Sequence, residues 1–332
     1  MNSKLAQIEI LGNESDLQEW DDFVSTSPQG TIFAKSWWLR CVCNENFKII
    51  LFRDGREIIC GLPLQFKKKL FFNFSFMPKY TQTLGPVFKP LENISEYKKR
   101  SIEITALTEI LPSISQFQFI KTNCHYSFSN ILPFHWSGFS SNVRYTYVLE
   151  DLSNLDNIFA NITPKYQNKI LKAEKLGIKI IETEDIDLFI NTIKKSLPEE
   201  IFSKSISIIK KINYVCEQYN SRKIYLAIDP NGLIHSGLFV IYDSKSAYNL
   251  IQGGDKELRK SGANILAMWH SIKEMSKTSN IYDFEGSMLE NIEIVFRSFG
   301  AIQKPYYSVT KNIVSNFFSF RFAKYIKRIF YK

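Results

Sequence analysis

The sequence is poor in the features that mark several common protein classes. Its five cysteines, Cys41, Cys43, Cys60, Cys124 and Cys216, are odd in number and scattered, and none stands in a Cys-x-x-Cys pair. No zinc or dithiol redox motif follows from them, and without a histidine in a partner motif neither does a cysteine nucleophile. His235 and His270 stand alone and read as structural residues; no metal site is expected. No apolar run approaches the ~20 residues of a membrane span; the longest apolar-leaning stretch lies around Leu70 to Met77. The opening MNSKLAQIEI holds no apolar core of the kind a secretory leader needs, so a reducing cytosol is the expected compartment.

What is present is an ordinary globular composition. The 332 residues suggest about two domains. Hydrophobic residues make up 45% and aromatics 14%, with 27 phenylalanines, enough for a large core and too much for a disordered chain. Forty-two Lys and Arg against 33 Asp and Glu leave a formal charge of +9. That balance raises nucleic acid, a membrane surface or a phosphorylated ligand as partner.

Local patterns place the elements. Asp54-Gly55 between strands 48–53 and 57–66 signals a hairpin. Helices are expected over 16–24, 37–42, 95–110, 186–197 and 200–220, and strands over 8–11, 116–121, 144–149, 178–182, 223–228, 237–242 and 246–251. Thr163 as N-cap with Pro164 at the first helical position opens a helix that Gly177 closes. Ile265, Met268, Trp269 and Ile272 recur at helical spacing in 263–276. A strand 281–284, a helix 289–299 and a strand 305–310 follow. The two halves share a cadence: SGFSSNVRYTYVL (Ser137 to Leu149) and RSFGAIQKPYYSVT (Arg297 to Thr310) each set Phe and Gly before an aromatic strand. The expected fold is α/β (or α+β), as two tandem domains, 1–152 and 153–311, each a mixed sheet flanked by helices, with a tail 312–332.

Four groups of residues are candidates for chemistry. Asp283 and Glu285, two apart on the expected strand, would share one face and could place a general base; a strand end whose acids cap the next helix is the plain alternative. Ser287 is equally a helix cap or a ligand group. Arg259, Gly262, Ala263 and Asn264 sit where the chain enters a helix, and free N–H groups with the helix dipole favour a phosphate there. Lys165, Lys169 and Lys172 form one helical stripe beside Tyr166, able to hold phosphates or simply to face solvent. Tyr80, Thr81 and Gln82 form a polar loop between Pro78 and Pro86, a candidate acceptor-pocket wall.

The segment Arg259-Lys260-Ser261-Gly262-Ala263-Asn264 resembles the acyl-CoA pyrophosphate loop of GNAT acyltransferases, Arg/Gln-x-x-Gly-x-Gly/Ala, except at Asn264. PKYTQTLGP (Pro78 to Pro86), TPKYQNKILKAEKLGIKI (Thr163 to Ile180), YNLIQGGD (Tyr248 to Asp255) and YDFEGSM (Tyr282 to Met288) together make the whole chain similar to FemAB-like proteins, which hold two tandem GNAT-like domains. The resemblance implies amide formation on an amino group of a bacterial cell-envelope sugar or peptide precursor. Acyl-CoA is the implied donor, and an aminoacyl-tRNA-dependent peptidoglycan-precursor ligase is the second reading. A non-catalytic scaffold that binds a partner is the third. It implies Arg259, Gly262, Ala263 and Asn264 at the donor, Tyr80, Thr81, Gln82, Lys165 and Tyr166 at a nucleotide-linked or lipid-linked acceptor, and Glu285, Asp283 and Lys169 in catalysis. Where many GNAT enzymes have a Tyr general acid this chain has Phe296.

The charge is unevenly spread. No acidic residue follows Glu293, while eight basic ones do, so the rest of the chain is nearly neutral. In the tail, Phe318, Phe322, Tyr325, Ile326 and Ile329 share a helical face opposite Arg321, Lys324, Lys327 and Arg328. That pattern reads either as an interfacial anchor or as a helix packed on the body. An anchor would hold a cytoplasmic protein at the inner face of the membrane. The oligomeric state is not legible.

Overall fold

The residues flanking Asp54-Gly55 pair as antiparallel strands in the computed structural model, which describes residues 6–11, 14–196 and 199–313. The chain divides into two compact units, one holding the chain up to Arg144 and again from Tyr306, the other holding Tyr145–Pro305. Unit 1 contains β1 (Ala6–Ile10), α1 (Glu14–Thr26), α2 (Ser36–Cys43), β2 (Phe47–Asp54), β3 (Glu57–Gln65), β4 (Lys67–Lys69), β5 (Phe72–Ser75), β6 (Val87–Phe88), α3 (Glu96–Ile110), β7 (Phe117–Asn123), α4 (Leu132–Trp136) and the start of β8 (Ser140–Leu149). Unit 2 takes the rest of β8, then α5 (Leu155–Asn161), α6 (Pro164–Lys175), β9 (Lys179–Glu182), α7 (Ile186–Lys194), α8 (Glu199–Gln218), β10 (Arg222–Ile228), β11 (Ile234–Tyr242) and β12 (Ser246–Gly254). It continues through α9 (Ala263–Met275), β13 (Ile281–Asp283), α10 (Glu290–Ser298) and the start of β14 (Ile302–Asn312). The domain boundary expected at residue 152 therefore differs from the division at Arg144, and β14 carries the chain back into unit 1.

In unit 1 an antiparallel sheet runs β1–β2–β3–β6. A second sheet sets β4, β5 and β7 side by side, with the last residues of β14 next to β7. Ala106, Leu107 and Ile110 of α3 bury their faces among Ile50, Leu62 and Phe117. The hairpin β4–β5 was not expected, because no Gly, Asn or Asp marks its turn.

In unit 2 the strands run β8–β13–β12–β11–β10–β9. β11 is buried from Ser236 to Tyr242, an apolar run covered on both faces, as a central strand requires. The helical spacing read in 263–276 is the packed face of α9: Ile265, Met268, Trp269 and Ile272 are all buried. Each such side chain removed from water contributes roughly 1.5–3 kcal/mol. On α6, Tyr166, Ile170 and Ala173 turn inward to the same core. Thr163 is the N-cap of α6 in backbone terms only. Its side chain makes no cap hydrogen bond, and its N–H instead donates to Ser298 O at 2.9 Å.

The five cysteines are free and buried. Burial pushes the Cys43 and Cys124 thiols up to about 12, which suits inert core residues. Among the described residues, no helix is long and apolar enough to cross a membrane, and no cluster of His, Cys, Asp and Glu could hold a metal ion. The basic tail lies outside the described residues beyond Ile313.

Candidate active site

Two parallel strands part in unit 2, and a cavity opens where they do. β12 and β13 pair only over Ser246–Tyr248 and Ile281–Asp283. β12 then continues to Gly254, while β13 stops. The cavity has a volume of about 560 Å³. The free part of β12 forms one wall with Asn249, Gln252 and Gly254, and α10 forms the other with Asn291, Val295 and Phe296. Arg259, Ala263 and Asn264 line it at the entry to α9.

β13 ends because Glu285 and Gly286 both adopt left-handed backbone, each at φ +60°. A side chain at Gly286 would run into Tyr145 O, 2.1 Å from its Cβ, so the close pass against β8 requires glycine. Asp283 holds the turn. It is buried, and its Oδ1 accepts from Glu285 N at 2.7 Å and from Thr146 Oγ1 at 2.5 Å. This corrects the shared face expected for Asp283 and Glu285: the positive φ breaks strand alternation, so one carboxylate builds the turn and the other lines the cavity.

Glu285 has the properties of a working group. Its Oε1 is buried and has no hydrogen-bond partner. Burial, and secondarily the neighbouring Asp283 carboxylate, push its carboxyl well above the usual carboxylate range. Two further buried polar atoms on the cavity wall lack partners, Ser236 Oγ and Asn249 Oδ1. Buried polar atoms are nearly always paired, so three orphans on one cavity leave hydrogen-bonding capacity there for water or a ligand. Asn249 and Ser236 were not singled out from sequence. The available signal was an amide inside the apolar run AYNLI (Ala247 to Ile251).

The loop before α9 is built for close approach. A 3₁₀ turn, Glu257–Ser261, leads to Gly262 at φ +83°. A Cβ there would lie 2.4 Å from Lys169 O, so α6 and the loop touch backbone to backbone. Lys172 Nζ donates to Lys260 O at 2.7 Å and ties the same two segments. Gln252 Nε2 donates to Asn264 O at 2.8 Å, joining the helix start to β12. Arg259 is exposed and has no ion pair among the described residues. His235, read from sequence as structural, lies 3.0 Å (Nδ1) from Ser261 Oγ and 3.3 Å (Nε2) from Asp229 Oδ2, and so fixes this loop to the β10–β11 turn.

The structure brings Arg259, Ala263, Asn264, Glu285 and Ser287 together on one cavity and leaves the lysine stripe and the unit 1 loop out of its lining. Lys165, Tyr166 and Lys169 do not line it. Tyr166 is core, and Lys169 Nζ sits 4.5 Å from the Tyr166 ring centroid. Burial, with Lys165 adding, lowers the Lys169 pKa. Tyr80, Thr81 and Gln82 belong to unit 1, where Thr81 Oγ1 accepts from Trp38 Nε1 at 3.0 Å and Gln82 O accepts from Asn123 Nδ2 at 2.9 Å. Ser287 Oγ accepts from Leu289 N at 3.0 Å, capping the turn that leads into α10.

Two sheet-and-helix units in tandem, the second with parting strands over a glycine-entered helix, define the tandem GNAT fold of FemAB-like proteins. Comparison with solved structures shows the same fold. FemX superposes with a TM-score of 0.68 at 14% identity, covering 90% of this chain and 96% of FemX. A tandem GNAT protein from the clavulanic acid biosynthesis pathway gives 0.55 at 11% identity, covering 92% and 99%. A conserved protein of unknown function from Bacteroides thetaiotaomicron gives 0.53 at 12%, covering 92% and 100%. No protein-family model and no curated protein matches the sequence.

Proposed function

We propose that the chain is an N-acyltransferase that forms an amide on an amino group of a cell-envelope sugar or peptide precursor, with acyl-CoA as donor in the unit 2 cavity. The observation that carries this reading is the half-buried Glu285, whose Oε1 is buried without a partner, on the cavity that Arg259, Ala263 and Asn264 also line. The residues suit such a donor. Arg259 offers a cation with no ion pair among the described residues, and the positive end of the α9 dipole favours a pyrophosphate beside it. Asn249 and Ser236 offer polar atoms on the cavity wall without partners among the described residues.

A carboxyl whose pKa burial raises holds its proton to higher pH than a free glutamate and can pass it on, which Phe296 cannot. As the acceptor nitrogen bonds to the acyl carbon and the carbon–sulfur bond breaks, Glu285 protonates the departing sulfur. The resulting carboxylate then takes the surplus proton from the new amide nitrogen, so the group ends as it began. General acid–base help of this kind is worth about 10²–10⁴ in rate. Glu285→Gln is expected to lower kcat by that factor with little change in KM for the donor, measured as thiol release with amino-sugar and peptide acceptors. A variant with unchanged kcat would remove Glu285 from the mechanism.

Phe296 departs from the acyl-CoA pattern and leaves room for a second reading, an aminoacyl-tRNA donor, for which an ester oxygen replaces the sulfur; Phe296 and Asn264 together are the features of the third, a non-catalytic scaffold. Charged tRNA co-purifying with the full chain, together with no response to acyl-CoA, would select the tRNA donor. Nucleotide-linked and lipid-linked precursors remain the two acceptor classes for either donor.

A further inference from the structure

Two large apolar side chains stand in solvent at one point of unit 1. β4 and β5 pair as Lys67↔Phe74, Lys68↔Asn73 and Lys69↔Phe72, which leaves Leu70 and Phe71 as a two-residue turn. Leu70 is 78% exposed and Phe71 92%. A two-residue hairpin turn that opens with positive φ normally takes Gly or Asn. Here Leu70 holds φ +55°. A polar, φ-tolerant residue would serve both the turn and solubility better, so the turn itself does not account for the choice.

The charge around the turn is of one sign. Lys67, Lys68 and Lys69 are all exposed. By register, Lys67 and Lys69 lie on one face of the ribbon and Lys68 on the other, so cations collar the tip on both sides. No acidic residue stands between Glu57 and Glu92. Lysines on an edge strand also guard it against unwanted pairing, and β4 is an edge strand. That role explains the lysines and leaves Leu70-Phe71 unexplained. A narrow ribbon tip offering two side chains is too small for a stable protein interface. Apolar residues ringed by cations do match the boundary between acyl chains and anionic headgroups.

We propose that the Leu70-Phe71 tip docks unit 1 on an anionic bilayer surface, with the two side chains in the acyl boundary and Lys67, Lys68 and Lys69 among the headgroup phosphates. This segment is distinct in sequence from the basic tail, and the proposal does not depend on the acyltransferase reading. The test uses the full chain and vesicles of phosphatidylcholine, alone or mixed with phosphatidylglycerol. The wild type floats with the mixed vesicles. Leu70→Ser with Phe71→Ser weakens partitioning about tenfold or more, and each Lys→Gln about fivefold, with thermal stability unchanged. A Phe71→Trp variant reads the position itself: its added emission shifts to the blue and is quenched by brominated acyl chains. Undiminished binding by the double serine variant overturns the proposal. So does binding without quenching at position 71, which would place the contact elsewhere, the tail included. A wild-type dimer broken by the serine substitutions, with no vesicle effect, overturns it in favour of a protein contact.

Discussion

Glu285 occupies left-handed backbone, which disfavours any side chain with a Cβ by about 1 kcal/mol. Its surroundings compensate: the Asp283 carboxylate accepts its N–H, and Gly286 lets the chain pass β8. The result is a carboxyl with one oxygen buried and unpartnered, and that has a consequence for stability. Its pKa in the folded state lies above the 4.5 of a free glutamate, so the folded chain keeps a proton that the unfolded chain releases. The associated stability is present in full below about pH 4.5 and is lost as pH rises through the folded-state value. Glu285→Gln carries no such loss. Melting curves from about pH 5 to about pH 8 should therefore show the variant gaining on the wild type as pH rises. Parallel curves would mean that the carboxyl is ordinarily solvated. Sequence could name Glu285 but not this state, because strand alternation contains no sign of a positive φ two residues past the last ladder pair.

At the scale of elements, the cavity is a product of unequal strand lengths and one tight loop. β12 outruns β13, and α6 presses against Gly262. Gly262→Ala must both adopt φ near +83° and move Lys169 O, a backbone atom 2.4 Å from the new Cβ. A destabilisation of about 2 kcal/mol or more in urea unfolding is expected, with weakened donor binding because the loop shifts. A cost of a few tenths would show that α6 and the loop separate freely. α9 was legible because four apolar residues at helical spacing mark one buried face. The lysine stripe of α6 was legible as a stripe, but its use was not: Lys172 bonds a carbonyl of the loop, and Lys169 covers Tyr166. The β4–β5 hairpin was illegible because Leu-Phe is not turn chemistry, and its exposed tip is what singles it out.

At the scale of the molecule, the repeated cadence of the two halves is reflected in two units of sheet and helix, and the tandem GNAT fold follows. The division lies elsewhere than the polar stretch after Leu149 because β8 and β14 each run through it as continuous strands. The basic balance of the chain is also local. It lies in the segment after Glu293 and, within unit 1, in the acid-free stretch that carries the β4–β5 hairpin. The central claim is that the unit 2 cavity binds an acyl-CoA donor. Calorimetric titration of the full chain with acetyl-CoA tests it most directly. Saturable binding at one site per chain is expected, weakened about tenfold by Arg259→Ala, in line with the loss of a charge-assisted phosphate contact. No heat at millimolar ligand, or equal affinity in the Arg259→Ala variant, would contradict it.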